Sequence, residues 1–354
     1  MRILAPLRSV EEAAPLADAG ADELYFGYVD EGWEQRGIFT DKSSRRHSKR
    51  ENLSTPDELA RVIRTSHDCG VETCLAVNNQ FTEFDYDLAL GQIRLGIELG
   101  VDRLIVCDIG LLCELRRMPG RVPAICLSTT AGAGNCRALD FYRKLGVSRV
   151  VLPRHLSLDE IGALTAPFPD LEFEALVLND GCNFDDGVCG FFHKSITQKR
   201  PVHHMRVMTR VDELIPARLL PALVKRRATL QCCIGDAEFS VRAGDDSPNA
   251  ARIEAYYRRW FRHTRLIFRC GLCAVQALQA CGVSHFKIAG RGYSLRKKVR
   301  DIRMLRETID TATKASPSEL ADHCRRLFRR HNGFSCNDYF CYFSEYPPCP
   351  RPER

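Results

Sequence analysis

The chain has 354 residues, 45% hydrophobic and 27% charged, which suits a globular protein with a sizeable core. A formal net charge of +6 permits an anionic partner without demanding one, and it is milder than that of a dedicated RNA-binding domain. No apolar run approaches the roughly 20 residues that span a bilayer, and the opening Met1-Arg2-Ile3-Leu4-Ala5-Pro6 is no apolar leader. The expected location is therefore cytoplasmic, with no membrane span.

Short β-like runs alternate with helical stretches from the first residue. They fall at 2–5, 23–27, 73–78, 103–107, 124–128, 149–153, 172–178 and 285–289. Several are apolar on both faces, as buried parallel strands are. Ser9-Val10-Glu11-Glu12 and Ser157-Leu158-Asp159-Glu160 read as capping boxes, and Thr55-Pro56-Asp57-Glu58 puts Pro in a first helical turn. Helices stop on Gly20, Gly70, Gly100, Gly146 and Gly282, each feeding the next strand in phrases such as "AGADELYFG", "LGVDRLIVCD" and "CGVSHFKIAG". Eight such strands predict a TIM-like (β/α)8 barrel, with an open doubly wound sheet as the alternative. In a barrel, chemistry gathers at the C-terminal ends of the strands.

One interval breaks the rhythm. Residues 179–284 separate strands seven and eight, far more than a βα connection needs. The expected organisation is barrel strands one to seven at 1–178, a cysteine-rich insertion over the mouth at 179–284, the last strand and helix at 285–314, and a C-terminal helix with an irregular Pro- and Cys-containing tail at 315–354.

Cysteine is the outlier, with seventeen copies. An odd count in a large chain without a leader points to metal binding rather than disulfides. Cys74, Cys107 and Cys126 sit in apolar runs and read as small packed hydrophobes, as does Cys281 on a helix. Cys182 and Cys189 stand in the polar loop "DGCNFDDGVCG", too polar to be core. With Cys232-Cys233 and Cys270-x2-Cys273, they bring soft thiolates together from three parts of the insertion, which suits an iron–sulfur cluster or zinc. The uneven spacing of Cys324, Cys336, Cys341 and Cys349 argues against a second metal site.

"ILAPLRSVEEAAPLADAGADELYFG", "GVDRLIVCDIGLL", "LGVSRVVLPRHLSLDEI" and "CGVSHFKIAGR" resemble, in the same order, signatures of the collagenase-like peptidase family U-32. The resemblance runs from Arg2 to about Arg291 and implies a TIM-like barrel. It also implies a 4Fe-4S cluster held by Cys182, Cys189, Cys273 and either Cys232 or Cys233, with Cys270 a spare candidate and zinc the alternative metal. Cluster-bearing members are similar to oxygen-independent hydroxylases of ubiquinone precursors or RNA, with prephenate as oxygen donor, and some act with a paralogous partner chain. Two motifs depart from the family. Lys287-Ile288-Ala289-Gly290-Arg291 lacks the usual acid, and Asn179-Asp180-Gly181 replaces a histidine-glycine.

Lys287 and Arg291 share one face near the end of strand eight, where a cation pair suits a carboxylate or phosphate; a salt bridge inside the barrel is the plainer alternative. His155, after strand six, is a general acid–base candidate or a surface histidine. Asn78, Asp108, Thr129, Arg154, Asn179 and Asp180 follow predicted strands and make a polar rim of candidate substrate contacts. The stretches "SSRRHSKR" (43–50) and "RIEAYYRRWFRHTRLIFR" (252–269) mix arginine with aromatics, a pattern that grips RNA or forms an amphipathic helix. No G-x-S-x-G or H-E-x-x-H motif supports hydrolysis. The expected activity is iron–sulfur hydroxylation or a related redox modification of a small molecule or RNA. Its rivals are a peptidase or hydrolase and a metal-stabilised, non-catalytic RNA-binding or partner-subunit scaffold.

Overall fold

The computed structural model describes residues 1–35, 51–181, 187, 269–336, 340–343 and 346. Cys182, Cys189, Cys232 and Cys233 lie outside the described residues, as do the basic stretches at 43–50 and 252–268. The strands are β1 (Arg2–Pro6), β2 (Glu23–Phe26), β3 (Glu72–Val77), β4 (Arg103–Val106), β5 (Ala124–Leu127), β6 (Val147–Val151), β7 (Glu172–Leu178) and β8 (Val283–Ile288). All pair in parallel, in sequence order, and β8 returns to β1 to close the barrel.

Helices α1 (Ala13–Asp18), α2 (Glu31–Gln35), α3 (Pro56–Asp68), α4 (Glu83–Glu98), α5 (Ile109–Arg117), α6 (Cys136–Lys144) and α7 (Leu158–Thr165) follow the first six strands, α2 and α3 both after β2. Then come α8 (Val275–Ala280), which leads into β8, and α9 (Leu295–Ala312) and α10 (Pro317–Asn332), which follow it. Among the described residues, no helix is long and apolar enough to cross a membrane.

The local signals explain most of these boundaries. Thr55 and Ser157 each close a reciprocal capping box with the glutamate three residues on. The five expected helix-ending glycines all take positive φ, between 72° and 104°. The Ser9 box does not form. Ser9 makes no side-chain cap bond, because the Glu12 carboxylate accepts from Arg8 N–H at 3.0 Å and from the buried Lys298 Nζ at 2.6 Å. Burial pushes the Lys298 ammonium down to about 8, against the pull of Glu12.

The barrel interior has an apolar part and a charged part. Leu4, Tyr25, Cys74, Ala76, Ile105, Cys126 and Val151 form an inner cluster separate from the larger core around it. Strand alternation also turns Glu23, Arg149, Glu174 and His285 inward, nearer the N-terminal ends of their strands. Arg149 is wholly buried and donates to Glu23 through two bonds of 2.6 and 2.9 Å and to Glu172 at 2.8 Å, with Glu174 at 3.5 Å. His285 Nε2 lies 2.7 Å from the same guanidinium. Burial alone would raise the Glu23 carboxyl, but His285 and Arg149 together hold it well below the usual carboxylate range. One guanidinium thus ties β2, β6 and β7 together across the barrel.

Removing one partner from such a network leaves buried charge without compensation. Arg149→Met, which leaves Glu23, Glu172 and Glu174 facing one another, is expected to cost about 3–5 kcal/mol in denaturant unfolding. Glu23 is depressed, so its stabilising contribution is present above its unfolded pKa of about 4.3 and is lost as the pH falls below it. In the variant the same carboxylates gain by protonation. The stability gap between the two proteins should therefore narrow between about pH 6 and pH 3; a constant gap would contradict the network.

Candidate functional site at the barrel mouth

The chain leaves β7 through two consecutive left-handed residues, Asn179 at φ 66° and Asp180 at φ 43°. Asn and Asp tolerate this region better than other side chains, and it is held here by a web of bonds. The buried Asn179 amide donates to Asp301 Oδ2 at 2.8 Å and accepts from Lys297 Nζ at 2.7 Å, while Lys297 also meets Asp301 at 2.6 Å. Burial lowers the Lys297 pKa, partly offset by Asp301. Tyr293 Oη donates to Asp180 Oδ1 at 2.6 Å, Arg154 donates to the Asp180 carbonyl and Tyr342 to the Asn179 carbonyl.

Across the mouth, Asn78 Nδ2 donates to Ser128 Oγ at 3.0 Å, and Thr130 Oγ1 bonds both Ser128 Oγ and the Asn78 carbonyl. Thr129 sits half-buried on the same turn. The Asn78 amide oxygen is buried with no hydrogen-bond partner among the described residues. A buried acceptor left open at a strand end is costly unless a ligand or water fills it.

The other expected site residues are differently occupied. Lys287 Nζ pairs with Glu174 at 2.7 Å and lies 4.5 Å from the centroid of the Tyr25 ring. Burial opposes the Lys287 charge, but Glu174 more than compensates and its pKa is raised. Arg291 is buried and bonds Asn52 Oδ1 at 2.8 Å. Their close approach requires Gly27, where a Cβ would come within 2.1 Å of both side chains. Asp108 caps α5, accepting from Leu111 N–H at 3.0 Å and from Phe81 N–H at 3.2 Å. His155 is exposed.

The two ends of the cysteine-rich insertion meet beside the Asn179 turn. Asn179 N–H donates to the Arg269 carbonyl at 2.8 Å, and Gly271 N–H to the Val177 carbonyl at 2.7 Å. Gly181, immediately before Cys182, packs so tightly that a Cβ there would lie 1.9 Å from Arg269 Cγ. Cys270 N–H in turn donates to Phe340 O at 2.6 Å, and Cys270 O accepts from Tyr342 N–H at 2.9 Å. The half-buried Cys273 neighbours Cys324 of α10, whose thiol is held far above its ordinary pKa, first by its hydrogen bond with Cys273 and then by burial. The Cys324 S–H donates to Thr308 Oγ1 at 3.9 Å. Among the described residues, no three His, Cys, Asp or Glu side chains are arranged to hold a metal ion.

The profile of peptidase family U32 matches residues 8–201, more than half of the sequence. The chain belongs to this family. It is 30% identical over 148 residues to tRNA hydroxylation protein P of Escherichia coli, covering 41% of this chain and 32% of that protein. Over 293 residues it is 26% identical to the Haemophilus influenzae protein of the same name, covering 77% and 62%. A Collagenase of Porphyromonas gingivalis is 28% identical over 159 residues, covering 45% and 34%. The chain thus spans less than two thirds of the length of each of these relatives.

Several parts of this U32 site are absent from the sequence expectations. Tyr293, Lys297 and Asp301 enter from the turn and helix after β8 rather than from a strand end, and no motif marks them. Asn179→Ala should cost about 3 kcal/mol or more in urea unfolding, since it strands Lys297 and Asp301 and puts a Cβ without a local hydrogen bond at positive φ. Asn179→Gly, which relieves only the backbone, should recover roughly 1 kcal/mol of that loss. Equal costs would show that the turn carries no strain.

Proposed function

We propose that this chain is an RNA hydroxylase of the U32 family that works with an iron–sulfur cluster at the barrel mouth. The observation that carries this reading is the junction of the two ends of the insertion. The backbone leading into Cys182 lies against Arg269, the residue before Cys270 and four before Cys273. Relatives named for tRNA hydroxylation supply the RNA part of the proposal.

Cys182, Cys189 and Cys273, with Cys232 or Cys233, would hold a 4Fe-4S cluster, and Cys324 would pack beside Cys273. When bound, such a cluster supplies one-electron chemistry. The chain's own residues do the rest. Asn78 presents an open acceptor to an exocyclic amine or a ribose hydroxyl, with Ser128 and Thr130 fixing its orientation. Arg154 brings positive charge to the end of β6, where an anionic oxygen donor such as a carboxylate would be held. Lys287 and Arg291, both paired and buried, stiffen strand eight beneath these groups. A paralogous partner chain would complete the mouth if one is required.

Nucleosides from tRNA and rRNA of cells with and without the chain, compared by mass spectrometry, test the reading. It requires a nucleoside heavier by one oxygen that disappears on deletion and returns on complementation. Complementation by Asn78→Ala should restore at most a tenth of that product at equal protein level, the loss expected from one substrate contact. The relative named Collagenase keeps a peptidase reading in view. That reading requires peptide cleavage that survives iron chelation, with RNA nucleosides unchanged.

A further inference from the structure

Beside the mouth, α9 and α10 carry an unusual charge. Residues 295–332 hold eleven Lys and Arg against five Asp and Glu, a surplus of six that equals the formal net charge of the entire chain. The remainder of the protein is neutral in sum. On these two helices, Arg296, Arg303, Arg326 and Arg329 are exposed, with no ion pair or side-chain hydrogen bond among the described residues.

Part of this charge lines a cleft. A cavity of about 250 Å³ lies between the start of α9 and the end of α10, walled by Arg296, Lys297, Arg300, Arg330 and His331. The carboxylates near it are already engaged: Asp301 holds Lys297 at 2.6 Å, and Glu307 lies 3.7 Å from Arg330 and 3.4 Å from His323. Arg300 donates one Nη to the His331 carbonyl at 3.0 Å, and its buried Nε, with no hydrogen-bond partner, lies 3.8 Å from Asp301 Oδ1. The crowding of positive charge also shows in His331, whose pKa is lowered first by burial and then by Arg300. Guanidinium groups gathered in a confined basic cleft, with the exposed Arg296 in no ion pair among the described residues, match the charge and geometry of a phosphate group.

We infer that this cleft seats the phosphate backbone of the RNA substrate. The inference rests on the RNA reading above and adds where the strand lies. Lys297 connects the two places, since it lines the cleft while its Nζ bonds Asn179 at the end of β7. A phosphate between α9 and α10 therefore sits one side chain from the mouth, and a nucleotide next to it can enter. Backbone contacts of this kind fix register without reading sequence, which leaves base choice to the mouth. A single-stranded or loop segment fits this arrangement better than a duplex, because its bases can be splayed away from the backbone.

The test compares two double variants that carry equal charge change. Arg296→Glu with Arg330→Glu places it in the cleft; Arg94→Glu with Arg137→Glu places it on exposed positions of α4 and α6 that have no ion pair among the described residues. Binding of a fluorescein-labelled, unmodified tRNA transcript is followed by anisotropy across a salt series, after melting curves confirm that both variants are folded. The cleft variant should bind at least tenfold more weakly and show a salt slope lower by about 1–2, the loss of one or two phosphate contacts. The control should bind within about twofold of the native protein. Equal weakening in both variants would reduce the effect to net charge and overturn the inference. So would unchanged binding by the cleft variant; native protein that still makes the heavier nucleoside then keeps the RNA reading intact. Native protein that binds neither this transcript nor ribosomal RNA, in cells whose RNA nucleosides it leaves unchanged, would overturn both.

Discussion

The Arg149 guanidinium is the interaction on which the rest of this barrel depends. It sits at zero exposure among Glu23, Glu172, Glu174 and His285, joining strands far apart in sequence. A charged group so buried is tolerated only when its partners satisfy every donor, and the near-complete satisfaction here fixes how the inner faces of β2, β6, β7 and β8 meet. Glu174 then passes its other oxygen to Lys287, which carries the same network one step toward the mouth. The charged centre is thus a frame. Above it, Tyr25, Ile105, Val151 and Leu176 close the interior before the strand ends are reached.

The mouth inherits its shape from that frame. With strand ends held in register, the residues after β7 turn abruptly, and the left-handed pair Asn179 and Asp180 is stabilised by Lys297, Asp301, Tyr293 and Tyr342. That turn sends one chain toward Cys182 while the chain returning through Arg269 and Cys270 lies against it. Asn179 is part of a buried hydrogen-bonded set with α9, a role neither histidine nor glycine fills with the same bonds. In Lys287-Ile288-Ala289-Gly290-Arg291, Glu174 of β7 supplies the carboxylate that Lys287 requires.

Much of this was legible in the sequence, for identifiable reasons. Strand runs apolar on both faces, helix-ending glycines and the Ser157 capping box are local signals, and tertiary packing left them intact. β6 and β8 begin two residues earlier than expected because the strand includes the residue that follows each turn, Val147 and Val283, and both pair with neighbours. The Ser9 box failed because a distant lysine, Lys298, claimed its glutamate, a long-range competition that no local pattern contains. Glu23, Arg149 and Glu174 were visible only as charged residues alternating with apolar ones. The basic cleft was harder still. Its arginines are spread over two amphipathic helices at spacings that read as an ordinary solvated face, and only the packing of α9 on α10 brings them together.

The central claim is that thiols at this mouth hold an iron–sulfur cluster. It is tested most directly by purifying the protein without oxygen and assaying iron, sulfide and zinc, beside Cys273→Ser and Cys324→Ser. The account predicts a brown protein with about four iron and four sulfide per chain. The Cys273 variant should lose most of the metal, whereas the Cys324 variant should retain it, with only a shifted spectrum. A colourless protein, zinc in place of iron, or equal metal content in the native protein and the Cys273 variant would contradict the account.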